Sequence, residues 1–145
     1  TNLNQYMGLS AAQPENRFGG MELRPFGQGM GTLGLPGDWS PASRFVRAAF
    51  LKWNSVCERD EISSVSQVFH ILDAVAMPRG AVRTPEGKWD LTDYSCCIDG
   101  WTGTYYYKTY DNSQITAVSM DEAKREGETL ICYPLVTDQQ IRFVP

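Results

Sequence analysis

The 145-residue sequence has one histidine, His70, and four cysteines, Cys57, Cys96, Cys97 and Cys132, with no C-x-x-C among them. That set is too thin for a zinc site, which takes four closely spaced nitrogen and sulfur ligands, and no metal or cofactor is expected. It is also sparse for a secreted scaffold stapled by disulfides. Cys96 and Cys97 are neighbours in a strand-like stretch, so their side chains point to opposite faces and cannot easily pair. Free thiols are expected. No run approaches the ~18 apolar residues of a membrane span, and no basic stretch leads into an apolar one in the manner of a targeting signal. Positive charge is not in excess either, with 13 Lys and Arg against 17 Asp and Glu. Nucleic acid, whose binding rests on phosphate neutralisation, and membrane are therefore not expected partners. With 42% hydrophobic and 21% charged residues, the composition is that of a folded globular chain. At this length a single domain is the starting expectation.

Residues 1–9 carry Leu3, Tyr6, Met7 and Leu9 near helical spacing, with Thr1 or Asn2 available as a cap. The pattern predicts a short helix. From Ser10 to Trp39 periodicity fails and glycine punctuates the run, which reads as a long functional or wrapping loop. Ser40-Pro41 then combines a capping hydroxyl with proline at the first helical position. Ala42, Phe45, Val46, Ala49, Phe50, Trp53, Val56 and Cys57 recur every three or four residues, predicting a helix over about 41–57. A second helix is predicted from Ser64 and Gln67, which fit a capping box, through Val65, Val68, Phe69, Leu72, Val75 and Ala76, stopped by Pro78 and Gly80. Beyond residue 90 the period becomes two. Segments 94–98, 104–110, 114–120 and 129–135 read as strands, the first three separated by Asp99-Gly100 and Asp111-Asn112 turns. Two helices followed by an antiparallel meander predict an α+β fold with helices over one sheet face.

Few residues carry chemistry on their own. Gly29 to Gly34 spells G-x-G-x-x-G, but a dinucleotide turn needs a buried strand before it and a helix starting within it. Residues 21–26 make a poor buried strand and the helix starts only at Ser40, so glycines serving backbone conformation are favoured. His70 falls with Ser63, Ser66 and Asp73 on the polar side of its helix, where an i, i+3 pairing is ordinary, and no G-x-S-x-G supplies a nucleophile. Thr1 as an N-terminal nucleophile would want a strand where the pattern says helix, so a capping role is preferred. Arg44 is harder to place, because a cation in a helix's first turn opposes the macrodipole. It reads either as a solvated arginine or as a cation beside a reacting anion, where it would depress a thiol pKa or bind a carboxylate; Arg47 follows one turn later. Tyr105, Tyr106, Tyr107 and Tyr110 read either as cross-strand packing or as contacts for an apolar acyl group.

The segment from Gly34 to Ala48, GLPGDWSPASRFVRA, resembles the corresponding motif of the choloylglycine hydrolase family, the penicillin V acylases and bile salt hydrolases. Asn2 to Tyr6, Phe69 to Leu72 leading to Arg79-Gly80, Leu91 to Tyr94, and Thr104 to Tyr110 come in that family's order and at about its spacing. The resemblance implies the C-terminal portion, residues 1–145, of a single N-terminal-nucleophile hydrolase domain with a four-layer αββα sandwich. It implies hydrolysis of a linear C–N amide, in penicillin V or a conjugated bile salt, by an N-terminal Cys outside this chain. That Cys would use its own amino group as base, and no metal or cofactor is needed. Of the family's active-site residues Arg44 alone maps onto this sequence, at the Ser-Arg-Phe step, and its catalytic reading becomes the preferred one. The implied partners are the N-terminal segment carrying the nucleophile and a small-molecule amide, with homo-oligomerisation allowed. A non-catalytic interaction module that keeps half of the fold is the alternative.

Overall fold

A computed structural model describes residues 2–120 and 126–145; Thr1, the expected cap, lies outside them. The chain divides into two units, residues 1–55 and 56–145. In the first, the helix expected at the start is a 3₁₀ helix, Asn2–Tyr6. The glycine-rich stretch after it is tied back on itself: the Ser10 amide donates to the Gly31 carbonyl at 2.9 Å, and Gln13 Nε2 donates to the Gly27 carbonyl at 3.0 Å. Gly31 sits where any Cβ would run into the Ala12 and Ser10 carbonyl oxygens, and Gly29 has φ +80°. One glycine thus answers to close approach and the other to a left-handed backbone, and among the described residues no strand precedes them.

Helix α1, Pro41–Trp53, starts where the Ser-Pro signal puts it, Ser40 accepting from the Ser43 amide. It stops short of residue 57: the Ser55 amide turns back to the Lys52 carbonyl at 3.3 Å, and the Asn54 side chain adds a donor to the Phe50 carbonyl at 2.9 Å. Val46 is fully buried, whereas Phe45 and Trp53 of the same stripe are exposed. Leu3, Tyr6 and Leu9 face Val46, Phe50 and Trp53 across a cavity of ≈ 340 Å³.

In the second unit, helix α2 is Glu61–Asp73. Its cap is Asp60, whose carboxylate accepts from the Ser63 amide at 2.8 Å, and not Ser64 as the capping-box pattern suggested. An aspartate before an acidic first turn satisfies both the orphan amides and the helix dipole, so the helix starts just over a full turn earlier. Strands β1, Val82–Arg83, and β2, Trp89–Asp90, form a small hairpin. Strands β3, Tyr94–Asp99, β4, Thr104–Thr109, and β5, Asn112–Ser119, make an antiparallel sheet in sequential order, with Cys97 opposite Tyr106 and Tyr106 opposite Ala117. Alternation sends Tyr106 to the face under α2, where it packs with Val65, Phe69, Leu72 and Cys97. Tyr105 and Tyr107 take the opposite face and stack with centroids 5.9 Å apart.

Residues 129–135 do not form the expected fourth strand. They run over the Tyr105–Tyr107 face without a ladder, and the segment after them is pinned by side chains. The Val136 amide donates to Tyr107 Oη at 3.1 Å, and the Gln140 amide donates to Oδ1 of the fully buried Asn112 at 3.2 Å. Side-chain acceptors here replace the strand edge that the apolar, β-branched composition anticipated.

Candidate active site

The residues from Pro36 to Arg47 form a bonded knot at the start of α1. Asp38 Oδ1 accepts from the Ser40 amide at 2.9 Å, and its Oδ2 accepts from the Ser43 hydroxyl at 2.6 Å. Ser40 Oγ lies 3.1 Å from Ser43 Oγ and caps the helix. These hydroxyl and amide donors hold the Asp38 carboxyl down at about 2, against an ordinary 3.8. The anion that a helix N-terminus favours is therefore supplied by the chain itself.

The two arginines of this stretch are not equivalent. Arg44 is half-buried in the first turn of α1, its amide donating to the Ser40 carbonyl at 3.0 Å. Arg47 is 8% exposed, and its Nη1 donates to the Pro36 carbonyl at 2.8 Å and to the Asp38 carbonyl at 2.7 Å. A buried guanidinium is tolerated only with acceptors placed for it, and the loop before the helix supplies two. Asp38 is thus gripped at both ends, its carboxylate by the cap and its carbonyl by Arg47. Sequence reading placed Arg47 one turn after Arg44 without giving it a role; the signal was the Pro36-Gly37-Asp38 turn, which leaves carbonyls to be satisfied. The Asp-x-Ser spacing, an Asx-type arrangement, signals the bond of Asp38 with Ser40 but not the one with Ser43, five residues on.

The tyrosine run is divided by the sheet. Tyr105 and Tyr107, with Val118, Leu130, Tyr133 and Leu135, line a cavity of ≈ 650 Å³ whose walls are mostly apolar. A hydrogen bond with the Cys96 thiol, helped by partial desolvation, pushes the Tyr105 phenol up to about 12. Tyr106 faces the other way and donates to Glu61 Oε1 at 2.6 Å, while Tyr110 accepts from the Arg79 amide at 2.9 Å with the Arg79 guanidinium over its ring. Only two of the four tyrosines therefore reach the cavity.

His70 is exposed, and Asp73, its expected partner, is bonded to Lys108 on β4 at 2.7 Å. The four cysteines are free thiols. Cys97 is half-buried under α2, and burial pushes its thiol up, away from the thiolate a nucleophile needs. Among the described residues no group of three or more His, Cys, Asp or Glu side chains could hold a metal ion, and no helix is long and apolar enough to cross a membrane.

A family model described as linear amide C–N hydrolases, choloylglycine hydrolase family, matches residues 1–133. A bile salt hydrolase/transferase of Lactiplantibacillus plantarum is 49% identical over 140 residues, 96% of this chain and 43% of the relative. One from Clostridium perfringens is 46% identical over 133 residues, 91% of this chain and 40% of the relative. The crystal structure of a mutant conjugated bile acid hydrolase from Clostridium perfringens superimposes with a TM-score of 0.85 and 44% identity, covering 99% of this chain and 44% of that one. Penicillin V acylase from Agrobacterium tumefaciens aligns over 68% of this chain and 31% of its own, with a TM-score of 0.57 and 25% identity. The chain spans about two-fifths of the length of the curated relatives it matches.

Proposed function

The chain belongs to the choloylglycine hydrolase family of linear amide C–N hydrolases, and from that premise we propose that residues 1–145 are the C-terminal portion of a single amidase domain. Its two helices and antiparallel strands have the α+β character of that family's N-terminal-nucleophile fold. The rest of the domain would carry the nucleophilic N-terminal Cys and most of the oxyanion donors. In the reaction so catalysed, the thiolate attacks the amide carbonyl carbon, the nitrogen takes a proton and leaves as an amine, and water hydrolyses the thioester to release the acid and regenerate the thiol. Arg44 would stand beside the thiolate, favouring the ionised sulfur and orienting the substrate.

Conjugated bile salts are the preferred substrate over penicillin V. The nearly full-length match of this chain to relatives named for bile salt hydrolysis carries that preference, since the penicillin V acylase likeness is weaker in identity, coverage and superposition. The test is amine release from a conjugated bile salt and from penicillin V by the complete protein, beside residues 1–145 alone. The complete protein is expected to cleave the bile salt faster and the isolated chain to cleave neither. In the complete protein, Arg44→Met is expected to lower kcat on the order of 10²-fold or more, the scale on which a group stabilising developing charge acts. Enzyme-like turnover by residues 1–145 alone would overturn the fragment reading, and unchanged kinetics for Arg44→Met would remove the arginine from the site.

A further inference from the structure

Arg47 does something on this fold that neither its place one turn after Arg44 nor the catalytic reading of Arg44 accounts for. It sits on the same helix, one turn on, buried, with both N–H bonds of Nη1 directed at main-chain carbonyls of the loop that leads into the helix. The acceptors, Pro36 and Asp38, lie on either side of Gly37, a turn that a side-chain cap alone would leave free to rotate. Asp38 in turn holds the Ser40 amide and the Ser43 hydroxyl. The chain of contacts therefore runs from the second turn of α1, through the loop, back to the cap and the first turn, and closes on the segment that carries Arg44.

We propose that Arg47 is a positioning residue for Arg44: by clamping the 36–38 loop to α1 it keeps the first turn from fraying and fixes where the Arg44 guanidinium is presented. The inference rests on the reading of Arg44 as the active-site arginine. Its physical basis is that helix ends fray unless their orphan groups are held. Displacing a catalytic group by ~1 Å costs on the order of 10²-fold in rate. A lysine at 47 keeps the charge but is shorter and lacks the planar fork, so it can reach the loop only in part.

The experiment is steady-state kinetics of the complete enzyme on a conjugated bile salt, with rates expressed per titrated nucleophile so that unfolded protein does not count. Arg47→Met is expected to lower kcat on the order of 10²-fold with KM within about twofold, and Arg47→Lys to recover part of that loss. The double variant Arg44→Met with Arg47→Met is expected to be no slower than Arg44→Met, because Arg47 has then nothing left to position. A purely structural role would lower the yield of titratable sites and leave kcat per site intact, and that result overturns the proposal. So does full additivity of the two losses. If Arg47→Met yields no folded protein, Arg47→Lys carries the test, and wild-type kcat per site in that variant is the refuting result. Should Arg44→Met alone leave kcat unchanged, the active-site reading of Arg44 has failed, and the proposal falls with it; a loss at Arg44 with none at Arg47 overturns the positioning claim alone.

Discussion

Phe69→Ala tests the packing that joins α2 to the sheet. Phe69 is 3% exposed, at the centre of the cluster with Val65, Tyr106, Leu72 and Cys97. A phenylalanine ring buries ~150–250 Å², which at ~25 cal/mol per Å² is a transfer contribution of roughly 4–6 kcal/mol, part of which the alanine methyl retains. With the cavity left behind, the expected loss is ~3–5 kcal/mol. The ring also has a specific neighbour. Lys108 Nζ lies 5.6 Å from its centroid while bonded to Asp73, whose side chain is 48% exposed. Because that carboxylate is half in water, the ion pair alone is worth little. Phe69→Leu should keep most of the buried area and forfeit the contact of cation with ring face, ~0.5–1 kcal/mol. Urea unfolding of the complete protein, followed by far-ultraviolet circular dichroism, measures both. A double-mutant cycle of Phe69→Leu with Lys108→Met isolates the cation–ring coupling. A Phe69→Ala loss below ~1 kcal/mol would refute the buried placement, and zero coupling in the cycle would refute the cation–ring contact.

Single sites offer two further tests. Gly31→Ala should open the strap between Ser10 and Gly31, costing ~1–3 kcal/mol as overpacking against backbone, and should speed tryptic cleavage after Arg17. Gly27→Ala, with open space around the added methyl, should leave the cleavage rate as it was. Tyr106 governs an alkaline limb. Its hydrogen bond to Glu61 raises the phenol above its ordinary value of 10.0, so the folded state holds that proton more tightly than the unfolded one. The stability it contributes is complete below pH 10 and is lost as pH rises through the folded value. Tyr106→Phe should flatten that part of the stability profile measured between neutral pH and pH 12, and an unchanged alkaline slope would show that the bond contributes nothing.

Local signals were legible where neighbours in sequence are the neighbours that matter. Ser40-Pro41 announced α1 because cap and helix start are one contact. The turns at Asp99-Gly100 and Asp111-Asn112 announced the meander for the same reason. The sequence misleads where two local solutions compete. Asp60 and Ser64 both offer a capping oxygen, and the earlier one wins because it lengthens the helix and places Glu61 at its positive end. The sequence also hides contacts that depend on distant partners. Asp73 looks toward His70 along the helix but bonds to Lys108, 35 residues on, across the sheet. Residues 129–135 have strand composition, yet they pair with no edge of the sheet, and Tyr107 and Asn112 hold the next segment with side chains. At the candidate site, Arg44 came from resemblance to a family motif. The grip of Arg47 on the loop carbonyls was hidden because backbone acceptors leave no mark in side-chain identity.

The grip on Asp38 has an electrical consequence. With its carboxyl held at about 2, the start of α1 keeps its negative charge at every pH where a chain of this kind is normally handled. No proton enters or leaves the Asp38 carboxylate across the working range. The field of that carboxylate is a constant background, and on the proposed amidase reading a pH–rate profile of the complete protein would carry no contribution from Asp38.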